Sequence, residues 1–213
     1  MAFYLHDIYT LLLIFSTITF AVLIFLDKNR FLLLLEYGIN QKYSILYHRR
    51  DPAVYRFFIS INTIIILSIL ISFYIFSVNN AVMSIYLFIK IALILITFHL
   101  IKISMIYCLG TILDKLDYAK KYYYGHSTNL IFLSLISFPV ILFLSYYNDG
   151  LGILNNAKYL CFFYLFIYFI LKVILLNRLN LFQISFIFYN ILYLCALEVV
   201  PYLGLLELLN LIH

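Results

Sequence analysis

Residues Phe57 to Val78 read FFISINTIIILSILISFYIFSV and carry no charged side chain. At about 1.5 Å of rise per residue, a helix of this length crosses a hydrocarbon core of about 30 Å. The run ends at Asn79-Asn80, a tight polar turn without charge. The rest of the chain has the same character. Of its 213 residues, 66% are hydrophobic and 11% charged, with a mean hydropathy of +1.08. Soluble packing would leave more apolar surface than a chain of this size can bury, so the composition predicts an integral membrane protein.

Working outward, the segment before this run, 27–56, mixes apolar residues with Lys28, Arg30, Glu36, Lys42, Arg49, Arg50 and Arg56. Phe31 to Leu35 is too short to span, and an interfacial amphipathic helix is expected before Asp51-Pro52 restarts the chain. Arg49-Arg50 sets topology, or binds a partner or anionic lipid. Upstream lies an apolar run over 8–26. The residues before it carry no Lys or Arg and no small-residue cleavage site follows it, so it reads as a retained anchor.

Downstream, apolar runs are expected as helices over 82–105, 129–147, 159–176 and 184–206, with a polar connection over 113–128. That connection holds Asp114, Lys115, Asp117, Lys120, Lys121, the three consecutive tyrosines Tyr122 to Tyr124 and Gly125-His126. Two carboxylates beside three lysines read as a solvated face rather than a metal site. Pro139 falls inside the fourth run, where membrane helices tolerate it. No internal repeat is evident.

Charge placement orients the spans. If the first, third and fifth connections are cytoplasmic, that side holds twelve of the chain's 14 basic residues, Lys102 and Lys172 among them; Lys158 falls opposite and Lys90 within the membrane. Such positive-inside asymmetry predicts a single all-α bundle of about six transmembrane helices, with both termini on the outer side. The net charge of +5 comes from these clusters, with no stripe interleaved with aromatics, so nucleic acid is not an expected partner. Cys108, Cys161 and Cys195 are isolated, without a CxxC pair or a histidine at metal-ligand spacing, and no cofactor is expected.

One site stands out. Glu198, with Pro201 three residues on, sits inside the last apolar run, where an ionisable group costs roughly 2.5–3.5 kcal/mol and normally faces the protein interior with a partner. Tyr202 and Cys195 share its face, and Asn190 and Tyr193 make the preceding turns polar. Lys90 lies about 12 Å below the outer end of the third helix, and Glu198 about 9 Å below that of the sixth, so depth pairs the two. His99 and Lys102 share a face near the inner end of the third run, where snorkelling or a satisfied polar contact is expected.

The stretch Tyr189-Asn190-Ile191-Leu192-Tyr193-Leu194-Cys195-Ala196-Leu197-Glu198-Val199-Val200-Pro201 resembles the ending of a family of small multi-pass membrane proteins of Bacteroidota known only as a domain of unknown function. Ile101-Lys102 with Gly110, and Asn129 with Pro139, are similar to that family's pattern as well. The resemblance implies a bacterial inner-membrane location and no established activity. It makes Glu198, Pro201 and Lys102 pattern positions, which sets Lys102 beside Lys90 as a rival partner for the acid. The expected function is that of a non-enzymatic accessory or assembly subunit of an envelope complex, in contact with lipid and with other membrane proteins. Alternatives are a small carrier coupled to protons or cations through Glu198, and an intramembrane lipid- or quinone-acting enzyme using Glu198 with Lys102 or His99.

Overall fold

The structure, a computed structural model, describes residues 3–38, 42–47, 52–79, 85–112, 114, 116–146 and 157–178. Regular structure among them is helical throughout. Five long helices, α1 (Phe3–Leu26), α4 (Ala53–Asn79), α5 (Ile85–Ile112), α6 (Leu116–Tyr146) and α7 (Ala157–Arg178), are long and apolar enough to cross a membrane. Two short ones, α2 (Lys28–Leu35) and α3 (Lys42–Tyr47), lie between the first two spans, with a 3-10 turn at Glu36–Gly38. The chain is a polytopic transmembrane helix bundle. The expected sixth span, 184–206, lies outside the described residues.

α4 and α6 form the centre. α4 packs against α1, α5, α6 and α7, and α6 against α5 and α7 as well. In lipid there is no hydrophobic drive between helices, so close approach and interhelical hydrogen bonds decide which faces meet. The central faces carry the residues that allow both. Ser16 Oγ donates to Asn62 Oδ1 at 2.6 Å, joining α1 to α4, and the hydroxyls of Thr63 and Ser134 lie 3.3 Å apart between α4 and α6. Thr63, Ser68 and Ser72 each also bond to a carbonyl four residues back, so their oxygens are satisfied within an apolar interior. Aromatic packing completes the joint, with Phe20 of α1 edge-on to Phe138 of α6 at 5.0 Å.

Three segments differ from expectation. α5 continues seven residues beyond Met105, to Ile112. α6 starts at Leu116, so most of the expected polar connection is helix, and it runs through Pro139 to Tyr146. The physical reason is that Tyr122 and Tyr124 carry large apolar rings with one polar tip each; with His126 and Thr128 they are buried, and Thr128 Oγ1 bonds the Tyr124 carbonyl at 2.8 Å. An averaged hydropathy counts such residues as polar, whereas a helix can bury their apolar parts against its neighbours. The turn between α5 and α6 contracts around Asp114, whose positive φ of 52° is a left-handed conformation that aspartate tolerates better than most residues. Asp114 and Asp117 are both exposed there.

The third difference is the 27–56 segment. Two short helices, α2 and α3, form here and pack against α6. Asp27 caps α2 by accepting from the Arg30 backbone N–H at 3.0 Å, and Arg30, Phe31, Leu34, Tyr37 and Tyr43 are buried.

Candidate functional site

The ends of α1, α5 and α7, the starts of α4 and α6, and the two short helices all meet at one end of the bundle, where most of the described basic residues lie. A Cβ built on Gly110 of α5 would stand 2.6 Å from that of Ala119 of α6, so the two backbones touch there. From this contact, Lys102 lies eight residues up α5 and His126 seven residues up α6. Both are therefore about 10–12 Å above it, at one level.

Lys172 of α7 joins them. Its Nζ lies 3.3 Å from His126 Nδ1 and 4.7 Å from the centre of the Tyr122 ring, and the Tyr168 hydroxyl is 3.5 Å from the same histidine nitrogen. Tyr122 stacks on His126 at 6.4 Å, which follows from their i, i+4 spacing on α6; Tyr168 and Lys172 have the same spacing on α7. A lysine ammonium only donates, so Nδ1 accepts and the ring proton is assigned to Nε2. That Nε2 is buried and has no hydrogen-bond partner among the described residues. Lys102, 1% exposed, acts on His126 electrostatically, as does His99, whose ring lies 6.2 Å from that of Tyr123. The centre is thus rich in donors and positive groups, and its chemistry favours an oxyanion over a cation.

A second basic group is enclosed beside it. The Arg30 guanidinium lies 4.2 Å from the Tyr55 ring centre, 4.8 Å from Tyr47 and 5.7 Å from Tyr43, and its Nε and Nη2 donate to the Tyr43 hydroxyl at 3.4 Å. Cation–π contacts of this desolvated kind are worth about 2 kcal/mol and offset part of the cost of removing the charge from water. Arg56 of α4 lies over Tyr123 and Tyr124 at 5.2 and 5.4 Å. A hydrogen-bonded strut links the two regions: Tyr37 donates to Asn129 Oδ1 at 3.0 Å, and Asn129 Nδ2 donates to the Leu171 carbonyl at 3.1 Å. Burial pushes the Tyr37 phenol up, and the nearby Arg178 opposes it, so the hydroxyl stays a neutral donor at ordinary pH.

Of the residues singled out from sequence, the structure brings His99 and Lys102 to this centre. Lys102 is buried, and α5 continues ten residues past it to Ile112. Lys90 is half-buried farther along α5, twelve residues from Lys102. Asn190, Tyr193, Glu198, Pro201 and Tyr202 lie outside the described residues. Sequence reasoning missed His126, Lys172, Arg30 and Asn129 as site residues. The available signal was spacing: Tyr122, His126 and Asn129 fall on one helical face at i, i+4 and i+7, visible only once 116–128 is read as helix. Among the described residues no group of His, Cys, Asp or Glu could hold a metal ion.

Comparison with the curated proteins and with the solved structures gave no match. A family model described as a domain of unknown function (DUF4271) matches residues 8–209, nearly the whole chain. The chain is therefore a member of the DUF4271 family, and its helical membrane bundle with a buried basic centre is a structure for that family.

Proposed function

We propose that this chain is a non-enzymatic multi-pass protein of a bacterial inner membrane, serving as an accessory or assembly subunit of an envelope complex. One observation carries the reading. α5 packs on the bundle with only 17% of its span buried, against 61% for α6. Its outer face presents Tyr86, Ile89, Leu93, Ile96, Leu100 and Tyr107, all exposed and spaced alternately by three and four residues apart from one skipped position. That spacing suits a partner helix crossing at a shallow angle. Purification in mild detergent with mass spectrometry tests it: a co-purifying membrane protein, lost when Leu93 and Leu100 are both replaced by Trp, supports the reading. A monodisperse chain without any such partner argues against it.

A second reading is a small carrier coupled to protons, favoured by the His126, Lys172 and Tyr168 chain of ionisable groups within the bundle. In it Glu198, in a run that also holds Asn190, Tyr193, Pro201 and Tyr202, binds the transported proton or cation. Glu198→Gln would then abolish proton-driven uptake at unchanged membrane abundance. A fall in abundance instead makes the acid structural.

A further inference from the structure

We propose that the outer face of α5 docks a transmembrane helix of another protein, and that this helix carries an Asp or Glu that pairs with Lys90. The proposal rests on the accessory-subunit reading and adds the chemistry of the partner.

Spacing is the first argument. Tyr86, Leu93 and Leu100 fall seven residues apart on α5, and so do Ile89, Ile96 and Ile103. The two series interleave by three and four residues, as the a and d positions of a heptad repeat do. All but the half-buried Ile103 are exposed, from 38% at Ile96 to 74% at Tyr86. A seam of this period keeps facing one partner helix along its length when the two wind around each other at a shallow left-handed crossing.

Charge is the second. Lys90 stands at the position just after d, flanking the seam, with the exposed Thr97 and Ser104 seven and fourteen residues on. In coiled coils a lysine at this flanking position sets partner choice by meeting an acid across the interface. At about 100° per residue, Lys90 lies about 60° from Leu93 and about 100° or more from the buried Phe88, Ile91, Lys102 and Ile106, so it belongs to the outward side. Among the described residues it has no hydrogen bond, ion pair or cation–π contact. The apolar side chains of the seam are as well placed against lipid as against protein, because lipid gives no hydrophobic drive to association. A lysine within a span is not, and it marks a place for a counter-charge. α5 contains no Asp or Glu, so a second copy of α5 packed on the seam would supply none.

The test uses the full chain in intact cells. A photo-crosslinking residue in place of Leu93 should capture a second protein, and mass spectrometry of the joined peptide should find an apolar segment that contains Asp or Glu. A joined peptide without an acid overturns the proposal, as does one from a second copy of α5 or from this chain's own residues 184–206. Lys90→Leu in the same background removes the charge while making the span easier to insert. It should cut capture per copy of the chain by at least about fivefold, whereas Lys90→Arg should hold it within about twofold. Equal capture in the two variants overturns the pairing. Lys90→Glu should lose capture, and Lys in place of the partner's acid should restore it. A partner that is lost when Leu93 and Leu100 are both replaced by Trp, yet held equally by Lys90→Leu, leaves the accessory-subunit reading standing and removes only the pairing. No capture at all overturns both.

Discussion

Gly110 is decided by the Cβ it lacks. Any side chain there meets Ala119 of the facing helix at 2.6 Å, and neither backbone can retreat without opening the packing of α5 on α6. Gly110→Ala is expected to destabilise the chain by about 1–3 kcal/mol, the usual cost of overpacking, read as a lower thermal midpoint in detergent. Ala119→Gly in the same chain should restore part of the loss, since it removes the atom that is struck. Asn129 works differently, as a two-way connector that accepts from Tyr37 and donates to the Leu171 carbonyl. Tyr37→Phe removes one bond and leaves a buried acceptor short, so a loss of about 1–2 kcal/mol is expected. The Gly110 and Asn129 positions, which entered through a family resemblance, thus acquire physical reasons: close helix approach in one case and a buried hydrogen-bonded strut in the other.

At the scale of the element, α6 explains why the centre exists. Its first four turns place Tyr122, Tyr124, His126 and Asn129 inward and leave Asp117, Lys120 and Lys121 outside, so a stretch that averages as polar has one buried face. Cysteine accessibility checks this directly. In a background without the native cysteines, Lys120→Cys should react with a membrane-impermeant maleimide added from the basic side, while Thr128→Cys, eight residues on, should stay unlabelled until the protein is unfolded. Equal labelling of the two would mean that 116–128 is a solvated connection after all. α2 shows the same principle in short form, because Asp27 starts the helix and thereby aims Arg30 into the tyrosines of α3 and α4.

For the whole molecule, the asymmetry of charge is a statement about orientation. Lys28, Lys120 and Lys121 are exposed at the basic end, and Arg30, Arg56, Lys172 and Arg178 lie inside or at the edge of it. The positive-inside tendency predicts that this end faces the cytoplasm. Reporter fusions inserted at the α5–α6 turn, beside Asp114, should be active only as cytoplasmic reporters, and fusions in the connection near Asp149 only as exported ones. The reverse pattern would invert the bundle. Enclosing several cations here also makes the basic end a rigid joint, since aromatic rings and hydrogen bonds from α2, α3, α4, α6 and α7 all converge on it.

The sequence by itself determined the class of the protein, a bundle of long apolar helices, because a run of about 20 apolar residues has one low-energy solution in lipid, a helix with its backbone groups satisfied internally. It also showed that Lys102 and His99 are near in space, since helical periodicity fixes their common face. Only the tertiary structure decided how far α5 and α6 extend, because Tyr, His and Thr look polar in a window average yet bury once neighbouring helices pack against their apolar parts. The meeting of Lys102, His126 and Lys172 was equally beyond the sequence: the three lie on different helices, and the contacts that align those helices, such as Gly110 on Ala119, are set by shape rather than by any local pattern.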